Sequence, residues 1–590
     1  MELHAETQTT AGYDWPVVGS SKLPVTIAVA SVALYLIWRR HPRYGGNPAL
    51  PSFPIVGCLP LILLNRHRFY EWSCELFERA HSLTLHVFLG LQVIIATADP
   101  QNVRHILKSR FDFYPKGPNF YPYFDDMFGR GIFNSDGRLW RFQRKVASHI
   151  FTSNSLRDFV VDIAGFEICH RLVPALNSAC EEESGRPIDL QALFMDFTFD
   201  TSSQLTFGAD PAALIGCIFW NHGMRGHRTL VKSKIRCKSN SDCAPAEVHP
   251  DSRRDSSHLV MEVPHYLIRG FAHGFPVALE VIANRFLLPT FLWKLQRFLN
   301  IGSERKLREA LKVVNEFAAY VIEKSKVESS GRRDLLARFM QLSKAEVSRL
   351  LDDDDEAVWK VCSSDKNDQV LSESLLKDIL LSFILAGRDT VASGLSFFVW
   401  QICLHPEVEK RIYEEVQVII RDRQLKQSDS EGAGIFSYEE IRKMNYLHAA
   451  FSESMRLSPP VPSNPKYAAE DDTLPDGTKI CKGYAVSYNV FALCRAQQIW
   501  GNDSLEFKPD RWLDQNGQFV TADPFKYPVF QAGPRTCLGK DFAYIQVKLV
   551  VACLVRDYVF SLSPGFKPNL SFGVNLNMTN GLPVTVRRRE

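Results

Sequence analysis

The chain has 590 residues, 45% apolar and 23% charged, which is enough apolar material for a large core. The net charge of +3 decides nothing by itself, but no basic run approaches a nucleic-acid patch, so no nucleic-acid partner is expected. Thirteen scattered cysteines without a CxxC pair exclude a small disulfide scaffold and argue against a zinc ribbon; they point to a reducing compartment with mostly buried, inert thiols.

The first element is LPVTIAVASVALYLIW, Leu23–Trp38, uncharged and followed at once by Arg39, Arg40 and Arg43. A span needs about 20 apolar residues, with about 17 as the lower limit, so the run is marginal, and an uncleaved anchor over 23–40 is the reading it supports. The positive-inside bias puts residues 1–22 in the lumen and the remainder in the cytosol. A cleaved signal peptide is the rival reading. It calls for a basic start and a small-residue cleavage site, and neither is evident. Residues 41–60, HPRYGGNPALPSFPIVGCLP, are a proline-rich hinge that is stiff and extended. The catalytic domain is expected over 61–590.

From about residue 68 the pattern is mainly α with small β-sheets. Leu83–Ala96 predicts a strand pair turning near Gly90. WRFQR carries Trp140 and Arg144 in a helical setting after SDG; taken alone, Arg144 reads as a surface arginine on an amphipathic helix. Residues 215–264 are polar and without periodicity, too long for an ordinary loop, and read as an atypical, disordered insertion. Their cysteines and histidines fit no metal-ligand spacing. Ser303–Glu323 has helical spacing. Lys344–Gln369, with its acidic run Asp352–Asp355, reads as a solvated loop.

Leu371–Leu404 is apolar nearly all round, so a buried helix is expected there, stopped by His405-Pro406. It contains AGRDT, Ala386–Thr390. Ala386 and Gly387 remove bulk from one turn, and Thr390 can divert a backbone carbonyl. Asp389 and Thr390 form an acid–alcohol pair suited to moving protons. On its own the motif is also compatible with an ordinary buried helix. Tyr438–Leu457 predicts one helix ending at Pro459-Pro460; its ESMR sets Glu453 and Arg456 on one face. Asp472–Asn489 reads as turn and short strand.

FQAGPRTCLG, Phe530–Gly539, sets Cys537 between glycines, and a helix is expected to follow over Lys540–Tyr558. A thiolate is a soft iron ligand, and cysteinate on haem iron favours O–O cleavage. Gly533 and Gly539 open backbone conformations closed to other residues, so the chain can curl close to a flat ligand. The following helix aims its positive end at the sulfur. Arg535 can pair with a haem propionate, and Phe530 can shield the sulfur. A structural cysteine beside a Gly-Pro turn would not account for these offsets.

FxxGxRxCxG is the haem-ligand signature of cytochrome P-450 monooxygenases, and the chain resembles that family from Pro51 to Pro583. The fold implied is the cytochrome P-450 fold behind an N-terminal membrane anchor. The resemblance implies Cys537 as the iron ligand of haem b (iron protoporphyrin IX). It puts Trp140, Arg144 and Lys466 on the propionates, and Ala386 and Gly387 beside the O2 groove. Glu453, Arg456 and Arg511 of FKPDRW would form a structural triad. Val391 departs from the Thr or Ser often found there. The finer resemblance, in GIFNSDGRLWRFQRKVASHIF, LHAAFSESMRLSPPVP and FQAGPRTCLGKDFAYIQVK, is to plant fatty-acid ω-hydroxylases and jasmonoyl-amino-acid hydroxylases. It implies hydroxylation of an aliphatic C–H of a lipid with O2 and NADPH-derived electrons.

The implied partner is NADPH–cytochrome P-450 reductase, docking near Cys537 on a basic patch with Lys540 and Lys548. The implied state is a monomer in the endoplasmic reticulum membrane, single-pass, with its catalytic domain cytosolic. The pocket would be lined by the Tyr114–Phe128 loop, the roof after Phe271, Phe383, Val461 and Met578. Residues 215–264 stand where the family has a shorter link, and suggest a translated non-coding segment or an unusual variant. Two other readings stay open. One is a thiolate-haem isomerase or lyase acting on fatty hydroperoxides, against which the intact AGRDT argues. The other is a non-catalytic product of a damaged gene.

Overall fold

The computed structural model of the chain describes residues 31–32, 50–53, 56–89, 92–151, 154–181, 186–215, 261–327, 334–343, 346–347, 349, 371–426 and 434–590. The luminal tail, all but two residues of the anchor, much of the hinge, residues 216–260 of the insertion and most of the 344–369 patch lie outside the described residues.

Helix α1 (Phe69–Arg79) leads into the antiparallel pair β1 (Thr84–Leu89) and β2 (Gln92–Thr97). Helices α2 (Tyr121–Phe128), α3 (Gly137–Phe151) and α4 (Asn154–Glu167) follow. Strand β3 (Ile188–Asp189) turns into α5 (Leu190–Phe207), where the Asp189 carboxylate accepts the Gln191 and Ala192 N–H groups and so caps the helix. Strands β4 (Ala209–Asp210) and β5 (Met261–Glu262) pair in parallel, so the chain returns at residue 261 to the place it left at 210. Then come α6 (His265–Arg285), α7 (Thr290–Leu299) and α8 (Gly302–Val327).

Helix α9 (Glu373–Leu404) is the centre of the molecule. Ser372 caps it by accepting the Leu375 N–H, and it packs on α5 and α8. It is the one helix among the described residues long and apolar enough to cross a membrane, and 83% of its apolar window is buried, which marks it as core. Helix α10 (Pro406–Lys426) follows.

The single helix expected over Tyr438–Leu457 is two: α11 (Tyr438–Lys443) and α12 (Asn445–Leu457). Met444 breaks them with ψ 80°. The second start is stabilised by Glu415 of α10, whose carboxylate accepts the Tyr446 and Leu447 N–H groups at 2.8 and 2.9 Å. That partner is remote in sequence, so the break is not visible in the local apolar spacing.

Strands β6 (Ser463–Tyr467), β7 (Asp472–Thr473), β8 (Lys479–Ile480) and β9 (Ala485–Asn489) come next, then α13 (Lys540–Asp557), β10 (Tyr558–Leu562) and β11 (Pro583–Arg588). The main sheet runs β1-β2-β9-β6, and a second runs β10-β11-β3. In the main sheet β9 lies parallel to β2 and antiparallel to β6, which sets Lys466 opposite Val486. The β1–β2 turn at Gly90 lies outside the described residues.

Candidate active site

The cysteine loop owes its shape to local backbone chemistry. Gly533 has φ +64°, and a Cβ there would lie 2.1 Å from the Leu107 carbonyl oxygen, so no larger residue fits. Gly539 differs from expectation. Its φ of −89° is open to any residue, and a Cβ would stand 4.0 Å from the Cys537 sulfur in ordinary contact. The special conformation falls instead on Gln531, with φ 62° and ψ −179°. Its side chain is held by Tyr488 Oη, which donates to Gln531 Oε1, and by Asn464, which accepts Gln531 Nε2 at 2.7 Å.

The Phe530 carbonyl accepts the Cys537 N–H at 2.8 Å, while the Phe530 ring lies 5.4 Å from that of Tyr544. Cys537 is itself exposed, yet the protein packed around it pushes its thiol up. A hydrogen bond from the Gly539 N–H, just before α13, and the charges of Arg144 and Lys540 pull the other way, toward thiolate.

Four cations gather near this loop. Arg144 of α3 donates Nη2 to the Thr536 carbonyl at 2.6 Å, one residue from the cysteine. Arg535 lies over the Trp140 ring at 4.4 Å and donates to the Ser135 carbonyl at 2.9 Å and to Asp136 at 2.6 Å. Lys466 of β6 is 2% exposed and its Nζ has no hydrogen-bond partner. Burial, Arg535 and Lys116 together draw its pKa well below the ordinary lysine value. Lys116, from the loop before α2, is lowered to about 7 by burial and by Arg535. Arg535 Nε is also buried and unpartnered. Buried cations left without acceptors call for an anionic ligand. Asp136 is the one carboxylate that the electrostatics of Lys116, Lys466 and Arg535 have in common.

A porphyrin bearing two carboxylates fits this donor set. Cys537 would supply the thiolate, and Arg144, Arg535 and Lys466 the charge that receives the propionates. Lys116 and Asp136 were not singled out from the sequence. Lys116 stands in the unremarkable turn YPKGP; Asp136 was within view in SDG, but nothing local says what its carboxylate meets.

On α9, Thr390 Oγ1 donates to the Ala386 carbonyl at 2.5 Å. That bond diverts a helical acceptor toward a side chain. Asp389 is buried, which raises its carboxyl pKa, while Arg388 at 3.4 Å opposes the rise. Gly387 has a further structural reason to be small: a Cβ there would stand 2.8 Å from the Ser202 Cβ, so the glycine lets α9 close on α5. One turn earlier, Phe383 stacks with Phe151 of α3 at 6.1 Å, and Phe151 meets Phe542 of α13 edge-on. Leu538, next to the cysteine, packs on the same core as Phe383, Leu385 and Trp140. These contacts bring the AGRDT helix and the cysteine loop to one region. Of the expected pocket residues, Met578 and, in the Tyr114–Phe128 loop, Tyr114, Met127 and Phe128 are sealed in the core.

The basic patch changes its membership. Lys548 is 4% exposed, drawn to about 8 by burial with Glu415 opposing, and cannot meet a partner. Lys540 beside Cys537 is half-buried, and the exposed cations of α3, the helix that carries Arg144, are Arg138, Arg141, which pairs with Asp112, and Lys145. The triad is closed: Glu453, fully buried, holds Arg456 Nε and Nη2 at 2.8 Å each and Arg511 Nε at 3.2 Å.

The cytochrome P450 family model matches residues 48–213 and 277–582, passing over the stretch that includes 216–260. Cytochrome P450 94C1 of Arabidopsis thaliana is 38% identical over 529 residues, covering 88% of this chain and 89% of that protein. Cytochrome P450 CYP94D108 of Paris polyphylla is 35% identical over 552 residues, covering 93% and 94%. Cytochrome P450 94A1 of Vicia sativa is 34% identical over 558 residues, covering 91% and 90%.

Proposed function

Because the chain belongs to the cytochrome P450 family and is an enzyme of the P450 monooxygenase class, we propose that it hydroxylates an aliphatic C–H of a fatty acid or fatty-acyl conjugate, at or near the ω end. The observation that carries the reading is the pairing of Cys537 with Arg144, Arg535, Lys466 and Lys116, two of which hold buried, unpartnered nitrogen atoms. Haem b, when bound, supplies activation of O2 and the oxidising power for the C–H bond.

The chain's own residues do the rest. Cys537 would hold the haem iron through its sulfur, with the Gly539 N–H favouring the thiolate. The cations fix the ring's orientation through its carboxylates. Asp389, whose burial keeps it protonated to a higher pH than an exposed aspartate, holds a proton one residue from Thr390. The Thr390 hydroxyl, anchored on the Ala386 carbonyl, would hold and pass on a proton at its Oγ1 beside the haem site. The lipid chain is received by aromatic side chains at α2 and just after α6, where the half-buried Phe124 and Phe286 pack on each other.

Electrons come from NADPH–cytochrome P450 reductase, through an acidic face that meets Arg138, Arg141 and Lys145. The protein is a single-pass monomer of the endoplasmic reticulum membrane with a cytosolic catalytic domain. The apolar run over 23–38 supports this, as do Phe291, Leu295 and Phe298 of α7, exposed at 73%, 49% and 85%.

Two measurements test the reading. The reduced, carbon monoxide-bound spectrum of the expressed chain is expected to carry the red-shifted thiolate-haem band. Microsomes with NADPH, given fatty acids and jasmonoyl conjugates, are expected to yield hydroxylated products by mass spectrometry. Turnover of a fatty hydroperoxide without NADPH would overturn the hydroxylase in favour of an isomerase. Absence of the band would remove haem altogether.

A further inference from the structure

Asp136 sits two residues after Asn134 and directly before Gly137, which opens α3 with φ +58°. Its carboxylate makes four hydrogen bonds to groups outside the helix. Oδ1 accepts the Lys116 N–H at 3.0 Å and Arg535 Nη2 at 2.6 Å; Oδ2 accepts the Gly117 N–H at 2.8 Å and the Tyr121 hydroxyl at 2.6 Å. The partners come from two places: Lys116 and Gly117 on the loop before α2 with Tyr121 at its start, and Arg535 on the cysteine loop 399 residues away.

The flanks of the pocket loop are fastened separately. The Phe113 and Pro115 carbonyls accept the Ala469 and Tyr467 N–H groups at 2.9 and 3.0 Å. The Tyr114 hydroxyl donates to Asp472 at 2.9 Å, and Tyr123 stacks on Phe286 at 4.3 Å. At the tip, Asn134 Nδ2 donates to the Tyr121 carbonyl at 3.2 Å and Phe120 packs on Phe286, but the Lys116 and Gly117 N–H groups meet Asp136 and no other acceptor among the described residues. Arg535, in contrast, keeps the Ser135 carbonyl and the Trp140 ring whatever becomes of Asp136.

We propose that Asp136 is a positioning residue that fastens Lys116, Gly117 and Tyr121, at the entry to α2, to Arg535 of the cysteine loop, so that one carboxylate fixes the pocket segment relative to that loop. The role deepens the functional reading above and rests on it. Burial opposes the charge on Asp136, but Arg535 and the hydrogen bonds from Tyr121 and the loop amides hold its carboxyl below the usual range, so the fastening is made by an anion throughout the neutral range. Removing that charge frees the Lys116 and Gly117 amides while Arg535 keeps the Ser135 carbonyl and the Trp140 ring.

The test is amide hydrogen exchange over residues 116–121 in the full-length, haem-loaded chain, comparing wild type with Asp136→Asn and Tyr121→Phe. The carbon monoxide band and the spectral shift with dodecanoic acid are read alongside. Asp136→Asn is expected to speed exchange at 116–117 by roughly tenfold or more and to weaken the dodecanoic acid shift in parallel, with the band retained. Tyr121→Phe, which keeps the carboxylate, is expected to give a smaller acceleration of the same peptide and serves if Asp136→Asn does not fold. Unchanged exchange in either folded variant overturns the proposal. So does loss of the band in Asp136→Asn as complete as in Arg535→Ala, since Asp136 would then serve the cofactor alone. A wild-type chain without the band would overturn the functional reading, while the exchange difference still reads the positioning role.

Discussion

Arg285 at the end of α6 and Glu304 at the start of α8 form a two-pronged ion pair, Nε to Oε1 at 2.8 Å and Nη2 to Oε2 at 2.6 Å, with both side chains almost wholly buried. The same guanidinium reaches Asp126 of α2 at 2.7 Å and the Tyr123 carbonyl at 2.9 Å, and lies 4.6 Å from the Trp293 ring centroid. One arginine therefore ties α2, α6, α7 and α8 together.

Replacing Arg285 with alanine leaves Glu304 charged and unpaired in the core. We expect a loss of about 3–5 kcal/mol in stability by denaturant unfolding. Asp126→Asn, at a position 17% exposed and already shared with Arg297, is expected to cost about 1 kcal/mol or less. Equal losses would show that burial does not set the energy of this pair.

Thr390→Ala removes the hydroxyl that meets the Ala386 carbonyl; Thr390→Ser keeps it. Product formed per NADPH consumed is expected to fall by roughly tenfold or more in the alanine variant and to be largely retained in the serine variant. An alanine variant coupled as tightly as wild type would remove Thr390 from the proton path.

Glu453 also accepts the Trp512 Nε1–H at 2.8 Å and the Lys508 N–H at 3.1 Å, and Arg456 donates to the carbonyls of Cys494, Ser504 and Glu506. Arg456→Lys keeps the charge but loses the planar fork, so little haem-loaded protein is expected from it. Arg511→Ala, at 15% side-chain exposure, is expected to yield more. The yield of the carbon monoxide band orders the two.

Asp378 of α9 accepts the Arg130 N–H at 2.8 Å, clipping the segment after α2 to the central helix. Burial raises its pKa from 3.8 to about 6. The folded chain thus keeps a proton that the unfolded chain releases above pH 3.8. Its stabilising contribution is complete below that pH and is lost as pH rises through about 6. Asp378→Asn keeps an acceptor and cannot titrate, so its unfolding free energy is expected to lack that slope between about pH 4 and 6. An identical pH profile would place the proton elsewhere.

Gln531 holds a backbone conformation that costs a non-glycine residue on the order of 1–3 kcal/mol. Alanine there keeps the strain and loses the bonds to Tyr488 and Asn464; glycine loses the bonds and relieves the strain. Gln531→Gly is expected to unfold at a higher temperature than Gln531→Ala, by a difference worth about 1 kcal/mol. The reverse order would mean that the loop is unstrained.

Much of the site was legible because its chemistry is local. Cys537, Arg535 and Gly533 stand at short fixed offsets, and the α9 motif sits within one turn of helix. A thiolate ligand, a tight turn and a hydroxyl bonded to the carbonyl one turn back each need residues near in sequence, and such needs leave a written pattern. The helix periods likewise announced α8, α9 and α13 to within a few residues. The α11–α12 break, the burial of Lys548, the closure of Gly387 on Ser202 and the four bonds of Asp136 left no such pattern. Each depends on a partner tens to hundreds of residues away, and only packing decides which side chains then meet. Sequence alone determined which chemistry this chain carries, because ligand identity and backbone freedom belong to individual residues. Tertiary structure alone decided which charges face one another, because burial and distance belong to the folded whole.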